Sequence, residues 1–306
     1  MNGKLRKPRV VILTALLVER QAISSHLLQL HEEIHPEGTV YWSGIFPCKG
    51  CIWDVKLVEI GPGNSGASFE TERAISYFNP DVTFFTGVAG GLKDVRIGDV
   101  VAATRVYNYE SGKASITFQP RPEVGNSTYR MVSRARAEAG SRDWLRRIKG
   151  ATPILEPKVH VGPIAAGEKV VSSIRTSIYE LLQANYGDAL AVEMEGHGFL
   201  STTHTHQFVN ALVIRGISDL IEGKSEADAT NSQELASRHA SAFAFQILFK
   251  LSEDKHFLQT IVGIRSTDKT RNEGQSKSKY YVRNSGQMAV GDNAQMIVNN
   301  WVDRSE

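Results

Sequence analysis

Continuous apolar runs alternate with helically spaced apolar residues along the first 250 positions. Residues 10–14 predict a fully buried strand, and the helical spacing that follows predicts a helix continuing to Leu30. Further strands are predicted at 39–46, 51–60, 82–87, 158–166, 190–194 and 211–217, and further helices at 65–78, 127–149, 172–183 and 235–251. Such alternation predicts an α/β fold with a largely parallel sheet covered by helices on both faces.

The pattern changes after residue 251. Residues 266–279 contain no apolar side chain, so a flexible linker is predicted over 252–279. Residues 280–306 alternate small apolar and amide side chains around two glycines, which is typical of paired or stacked strands. We therefore expect a large α/β domain over 1–251, a linker over 252–279, and a short β-prone interaction motif over 280–306.

Composition excludes several classes of protein. Only 41% of the 306 residues are hydrophobic, and the longest apolar runs are far too short to span a bilayer. The basic start is followed by a short apolar stretch that soon meets Glu19 and Arg20, which argues against a secretory signal. The net charge of +2 argues neither for nor against a polyanionic partner, but the sequence has no dense basic block with interleaved aromatics, so we expect no nucleic-acid partner. We expect a soluble cytoplasmic protein with no membrane contact.

Two short motifs suggest metal or redox chemistry but have ordinary explanations. His31 and His35 match the H-E-x-x-H pattern of zinc proteases, yet Pro36 follows at once and favours a polar helix terminus. Cys48 and Cys51 are the only cysteines and flank a predicted hairpin turn, so we expect two reduced thiols. No metal site and no cofactor are predicted.

A third motif, the G-x-G-x-x-G at 61–66, resembles a dinucleotide-binding turn. In that fold the acidic residue about twenty positions later ends a strand, whereas Asp81 begins one. A tight strand-to-helix turn is the favoured interpretation.

Acidic residues close several of the predicted strands. Glu19 opens the helix after the first strand, residues 86–91 are glycine-rich, and Glu193, Glu195 and Asp219 each end an apolar run. Burying a carboxylate is unfavourable unless it is paired or has a chemical role. These strand ends are therefore the candidate functional site.

Together the segments resemble the nucleoside phosphorylase and nucleosidase family, most closely its methylthioadenosine/S-adenosylhomocysteine nucleosidase branch. The resemblance extends in order from residue 10 to residue 251 and includes Ala166-Gly-Glu-Lys-Val-Val171, Glu193-Met-Glu195 and Ser218-Asp219. It implies a three-layer αβα sandwich with a mostly parallel, mixed central sheet. It also implies a homo-oligomer that cleaves the bond between a purine and ribose in a nucleoside or nucleotide.

The resemblance implies a role for each candidate residue. Asp219 would protonate the leaving purine with Ser218 orienting it, Glu19 would activate the water, and Glu195 would bind the ribose hydroxyls. The other implied substrate contacts are Val88, Ala89, Gly90, Val170, Val171, Glu193 and Met194. From the residues alone, Glu19 stays open as an ordinary helix-start acid and Asp219 as a loop or cap residue.

The nature of the attacking group is a separate question. Family members that use phosphate usually carry an arginine just before the glycine-rich loop, where this chain has Phe84-Phe85-Thr86. A phosphate needs cationic ligands, so hydrolysis by water is favoured over phosphorolysis. A phosphorylase remains the alternative.

Residues 109–113 and 118–122 depart from housekeeping nucleosidases and resemble variant domains of bacterial and fungal immune-type receptors, whose substrates include ATP. Lys113, Arg121 and Lys169 are candidate ligands of a 5′-phosphate, with solvated surface charge as the alternative. Adenine nucleotides are therefore the expected substrates; a housekeeping nucleosidase and a nucleotide-binding sensor without turnover are the alternatives.

The C-terminal motif resembles the glycine-spaced, amyloid-like signalling motifs that pair effectors with sensors in bacterial antiphage defence. This resemblance implies activation by assembly through residues 280–306. An added edge strand or an oligomer contact is the alternative.

Overall fold

The computed structural model describes residues 7–150, 155–221 and 229–261, and the backbone of 281–284 and 287–290. The chain divides into two units, Met1–Lys255 and His256–Glu306. The first unit contains the sheet and the candidate site.

The strands of the first unit are β1 (Arg9–Thr14), β2 (Leu28–Ile34), β3 (Val40–Pro47), β4 (Ile52–Glu59), β5 (Val82–Gly91), β6 (Val100–Asn108), β7 (Gly112–Lys113), β8 (Gln119–Pro120), β9 (Glu123–Asn126), β10 (Val159–Ala166), β11 (Ala191–Glu193) and β12 (Asn210–Leu220). Strands β7 and β8 form a small separate hairpin, and the other ten form one sheet.

The sheet is mixed, with the order β11-β10-β6-β12-β5-β1-β4-β3-β2 and β9 paired with β6. Its centre is parallel, because β1 runs parallel to both β4 and β5, and β5 runs parallel to β12. Strand β11 pairs with β10 and also with β5, which closes five strands into a ring. The predicted mixed, mostly parallel sheet is confirmed.

Helices cover both faces of this sheet. They are α1 (Leu17–Ser24), α2 (Asn64–Phe78), α3 (Tyr129–Ala139), α4 (Ser177–Asn185), α5 (Gly196–His204) and α6 (Ala229–Glu253), with a 3-10 turn at Asp143–Arg147. Helices α2 and α5 pack on each other, and α6 packs on α1, β12 and β5. Successive β1 residues point to opposite faces, and Val10 to Leu13 are all fully buried. The structure confirms the three-layer sandwich.

The first predicted helix is too long. It ends at Ser24, and the chain then forms β2, which pairs antiparallel with β3. Leu30 is exposed on this edge strand, so its helical spacing from Leu27 does not mark a buried helix face. His31 lies within β2, so the predicted helix terminus at the H-E-x-x-H motif is wrong. The described ranges contain no group of three or more metal-ligating side chains.

Other boundaries differ in smaller ways. The helix predicted over 127–149 stops at Ala139 before Gly140, and the 3-10 turn follows. The hairpin between β3 and β4 is confirmed, with the Cys48 N–H donating to the Cys51 carbonyl at 2.9 Å and both thiols free. The segment 61–66 is the predicted strand-to-helix turn, from which α2 begins.

In the second unit, residues 256–261 are helical, and an antiparallel hairpin joins β13 (Tyr281–Asn284) to β14 (Gln287–Val290). Most of the predicted linker and the rest of the predicted motif lie outside the described residues. Among the residues that are described, no helix has the length and apolarity needed to cross a bilayer.

Candidate active site

The candidate site lies at the carboxyl ends of the central parallel strands. The chain enters α1 directly after β1, while β5 ends in its glycine-rich segment and β12 runs alongside it. In this pairing Arg215 lies opposite Gly87 and Asp219 lies opposite Gly90. The strand register therefore places Arg215 and Asp219 of β12 alongside the glycine-rich end of β5.

Glu19 is the carboxyl group contributed by α1. Its side chain is buried, and its Oε2 accepts hydrogen bonds from the N–H groups of Ala15 at 2.7 Å and Leu16 at 2.9 Å. Its Oε1 accepts from the Val88 N–H at 2.8 Å. Burial raises the pKa of Glu19, and the nearby guanidinium of Arg215 opposes that rise. The carboxyl group is thus fixed over β5.

Arg215 is the centre of the cluster. This fully buried side chain donates through Nη2 to Glu193 Oε2 and, at 3.2 Å, to Glu195 Oε2. Its guanidinium lies over the Phe85 ring, 4.5 Å from the centroid. Its Nη1 has no hydrogen-bond partner within the described part of the chain. A methyl group at Gly87 would overlap both this Nη1 and Glu19 Oε1, so both atoms lie directly against the backbone there.

Glu193 and Glu195 have different surroundings. Glu193 accepts from the backbone N–H groups of Glu195 at 3.1 Å and of Gly196 at 2.9 Å, so it caps the start of α5. Glu195 accepts from the Gly63 N–H at 3.1 Å, which links it to the start of α2. Burial raises the pKa of Glu195 to about 7, against the lowering effect of Arg215.

Asp219 lies beyond a bulge near the end of β12. The register with β5 shifts between Ile217 and Asp219, so Ser218 is an extra residue there, and such bulges re-aim the side chains that follow them. The Ser218 hydroxyl is 3.3 Å from Asp219 Oδ2. A methyl group placed at Gly90 would be 3.1 Å from Asp219 Oδ1, so the carboxyl group lies close above β5.

An apolar wall adjoins Asp219. Val171, Val192 and Ile221 belong to one buried cluster, and Val192 and Ile221 both lie within van der Waals distance of a methyl placed at Gly90. Met194 is half-buried between the two glutamates, and Val170 is 69% exposed. Of the two valines predicted to contact the base, Val171 contributes to this wall.

The three candidate phosphate ligands lie around the segment 109–121. Lys113 is on β7, and the Arg121 N–H donates to the Ser111 carbonyl at 2.9 Å. Lys169 pairs with Glu110. All three residues are exposed, so the structure places them at a surface loop rather than among the buried carboxyl groups.

Sequence reasoning gave no role to Arg215, although the residue lies on β12, the same strand as Asp219. A signal was present, because a cation inside an apolar strand is as unfavourable as a carboxylate unless it is paired. In the structure this cation connects the two glutamates that the sequence did single out.

Comparison with known proteins agrees with this architecture. Residues 9–253 match the family model of the phosphorylase superfamily. The protein named ATP nucleosidase Cap17 of Escherichia coli (strain KTE188) is 30% identical over 242 residues, covering 70% of this chain and 46% of that protein. The chain therefore spans about half the length of that relative.

Two nucleosidases complete the comparison. The 5′-methylthioadenosine/S-adenosylhomocysteine nucleosidase of Desulfotalea psychrophila is 27% identical over 205 residues, covering 65% of this chain and 82% of that protein. The Helicobacter pylori enzyme of the same name superposes with a TM-score of 0.66 at 22% identity, over 80% of this chain and 99% of that structure. With the family model matching over most of its length, the chain belongs to the phosphorylase superfamily.

Proposed function

We propose that the chain is an N-ribosyl hydrolase that releases the purine from a nucleoside or nucleotide. The observation that carries this proposal is the grouping of Glu19, Glu193 and Glu195 around Arg215, with Asp219 near the end of the same strand, β12. The E. coli and D. psychrophila relatives are both named nucleosidases, which supports the same reaction class.

The proposed reaction breaks the bond between C1′ of the ribose and a purine nitrogen. The bonding electrons leave with the purine, and Asp219 donates a proton to the base, so that a neutral purine departs. Positive charge develops on the ribose, and the Glu195 carboxylate, which accepts hydrogen bonds from the ribose hydroxyls, stabilises it. Val171 and its apolar neighbours contact the base, and Met194 packs against the sugar.

Water is the proposed nucleophile. Glu19 Oε1 and Arg215 Nη1 both lie against Gly87, and a water bridging them is oriented by the cation and loses its proton to the carboxylate. The water oxygen forms the new bond to C1′ and becomes the hydroxyl group of the ribosyl product at that carbon. The proton taken by Glu19 balances the proton given by Asp219.

The charge balance of the cluster favours water over phosphate. Three carboxyl groups surround one guanidinium, and Arg215 already donates to two of them. A phosphate brought to this point would face a surplus of negative charge, whereas its usual sites present several free cationic donors. Hydrolysis is therefore proposed in place of phosphorolysis.

We propose adenine nucleotides, including ATP, as the substrates. The supporting observations are the similarity to an ATP nucleosidase and the exposed cations Lys113 and Arg121 within the segment 109–121 and Lys169 beside it. A thioether nucleoside is the second candidate, because Lys169 is already paired with Glu110 and a thioether needs no cation. The complete acid set favours an enzyme over a binding-only sensor.

The biological setting is proposed on the same basis. The chain is proposed to act in the cytoplasm as a homo-oligomeric effector of antiphage defence. A sensor or self-assembly partner would engage residues 280–306, and the hairpin of β13 and β14 is compatible with a β-mediated contact.

A substrate panel tests the proposal. Purified protein is incubated separately with ATP, AMP, adenosine and methylthioadenosine, and free adenine is measured by chromatography. Release of adenine, fastest from ATP, is the expected result. Release from methylthioadenosine alone would favour the second candidate, and binding of nucleotides with no base release would favour a sensor.

A further inference from the structure

The glycine-rich turn at 61–66 resembles a dinucleotide-binding turn in sequence, but in the structure its backbone contacts a buried carboxyl group. Gly63 is the residue immediately before α2, with φ of 113° and ψ of 142°. This backbone region is strained for residues with a side chain and is occupied almost only by glycine. In this conformation the Gly63 N–H points at Glu195 Oε1, 3.1 Å away.

The start of α2 has no anion of its own. Its first turn contains no acidic residue, and Gly63 supplies no side-chain cap. Helix N-termini carry exposed N–H groups and a partial positive charge, which a carboxylate complements. Here Glu195 and Glu168 supply that complement from distant segments, since Glu168 Oε1 accepts from the Asn64 N–H at 3.2 Å.

The same turn also holds the helix on which Glu195 stands. Glu195 is the residue before α5, and Asn64 Oδ1 accepts from the Gly198 N–H at 3.0 Å. A hydrogen bond therefore joins the first turn of α2 to the first turn of α5, and Glu195 lies next to both turns. This arrangement fixes both the position of the carboxyl group and the direction of one of its lone pairs.

We propose that Gly63 is a positioning residue: its N–H, at the positive end of α2, holds the Glu195 carboxylate in the ionised form and orientation that bind the ribose hydroxyls. The inference rests on the proposed function, because that function supplies the ribose. The contact between Gly63 and Glu195 does not depend on it. The glycine-rich pattern thus serves the ribose-binding carboxylate in place of a dinucleotide phosphate.

The other charged groups facing Glu195 set the size of the effect. Glu19 of α1 and Glu193 of β11 disfavour its ionisation, while Arg215 of β12 and the Gly63 N–H favour it. A hydrogen bond to a charged group contributes enough that its loss changes a binding constant by about tenfold to a hundredfold. Losing the Gly63 contact should therefore raise KM by that factor.

The first experiment uses the unaltered protein and needs no activity. The amide of Gly63 is followed by ¹⁵N–¹H spectroscopy of glycine-labelled protein through a pH titration. Its shift should report one ionisation that disappears in Glu195→Gln, while the amide of Gly61 should not report it. A Gly63 amide that is unchanged through the titration, or unaffected by Glu195→Gln, overturns the proposal whether or not the protein releases purines.

The second experiment compares Gly63→Ala with Gly61→Ala. Both glycines have positive φ, so both variants are strained, but only Gly63 donates to Glu195. Gly63→Ala should raise KM and move the acidic limb of kcat/KM upward by about one to two pH units. Gly61→Ala should leave that limb in place. Identical pH profiles for the two variants would show a merely structural turn.

Discussion

Replacing Arg215 by methionine removes the buried cation that lies among three buried carboxyl groups. Methionine retains much of the apolar stem but leaves Glu193 and Glu195 without their shared donor. The side chains of these glutamates are only 1% and 7% exposed, so water cannot replace the guanidinium. The variant should therefore fold less stably as well as lose activity.

The magnitude follows from the burial. Removing one partner of a buried ion pair costs about 3 to 5 kcal/mol of unfolding free energy. For a domain of this size, that loss lowers Tm by roughly 6 to 20 °C. The exposed pair of Arg142 and Glu156 gives a matched control, because Arg142→Met should leave Tm almost unchanged.

The penalty should also depend on pH. Without Arg215, no cation opposes the burial that raises the pKa of Glu195 above its value in the unfolded chain, so the folded state binds a proton more tightly. The destabilisation should then grow as pH rises above about 4.5 and be smaller at mildly acidic pH. Adding Glu195→Gln to the Arg215→Met variant should restore part of the stability.

Thermal and urea unfolding at several pH values measure these effects. An Arg215→Met protein within about 1 kcal/mol of the parent at neutral pH would refute the account of the cluster. A penalty that is independent of pH, or equal to that of Arg142→Met, would refute it as well.

Further predictions concern catalysis, pH and assembly. Asp219→Asn should lower kcat by about a hundredfold to ten-thousandfold with little change in Tm. Asp188→Asn, which alters an exposed pair with Tyr107, should leave kcat unchanged, and equal kcat values for the two variants would contradict the assignment of the acid. Because the pKa of Glu195 is raised to about 7, KM should rise as pH falls below about 7, and pH-resolved kinetics that lack this rise would contradict ribose binding by the carboxylate. Burial lowers the pKa of His26 to about 3, below its unfolded value, so unfolding free energy should fall as pH drops below about 6.5; His26→Gln should weaken that dependence in urea titrations, and an unchanged slope would contradict it. Deleting residues 280–306 should spare base release but abolish assembly or activation in cells, and loss of folding, seen by circular dichroism, would instead indicate a structural role.

The central strands and their helices could be predicted from local pattern. The apolar run of β1 and the helical spacing of α2 are each consistent with a single structure, and both were found close to the predicted limits. The region after Ser24 was different, because Leu27, Leu28 and Leu30 fit a helix as well as a strand. Pairing with β3, a contact between distant segments, decided in favour of a strand.

The site was only partly predictable for a similar reason. Burying a carboxylate at the end of an apolar strand is unfavourable, and this argument identified Glu195 and Asp219 from the sequence. Local pattern does not show which cation pairs with an acid, so the contact of Arg215 with both glutamates emerged only from the pairing of β12 and β11 with β5. The Gly63 contact with Glu195 joins residues 132 positions apart and gave no local signal.

The most direct test of the central claim, hydrolysis at C1′ by an enzyme-bound water, is the fate of labelled oxygen. The protein is incubated with an adenine nucleotide in oxygen-18 water, with and without phosphate, and the products are weighed by mass spectrometry. The account predicts adenine and a ribosyl product carrying one heavy oxygen, at a rate independent of phosphate. A phosphate-dependent reaction that yields an unlabelled ribose 1-phosphate would contradict it.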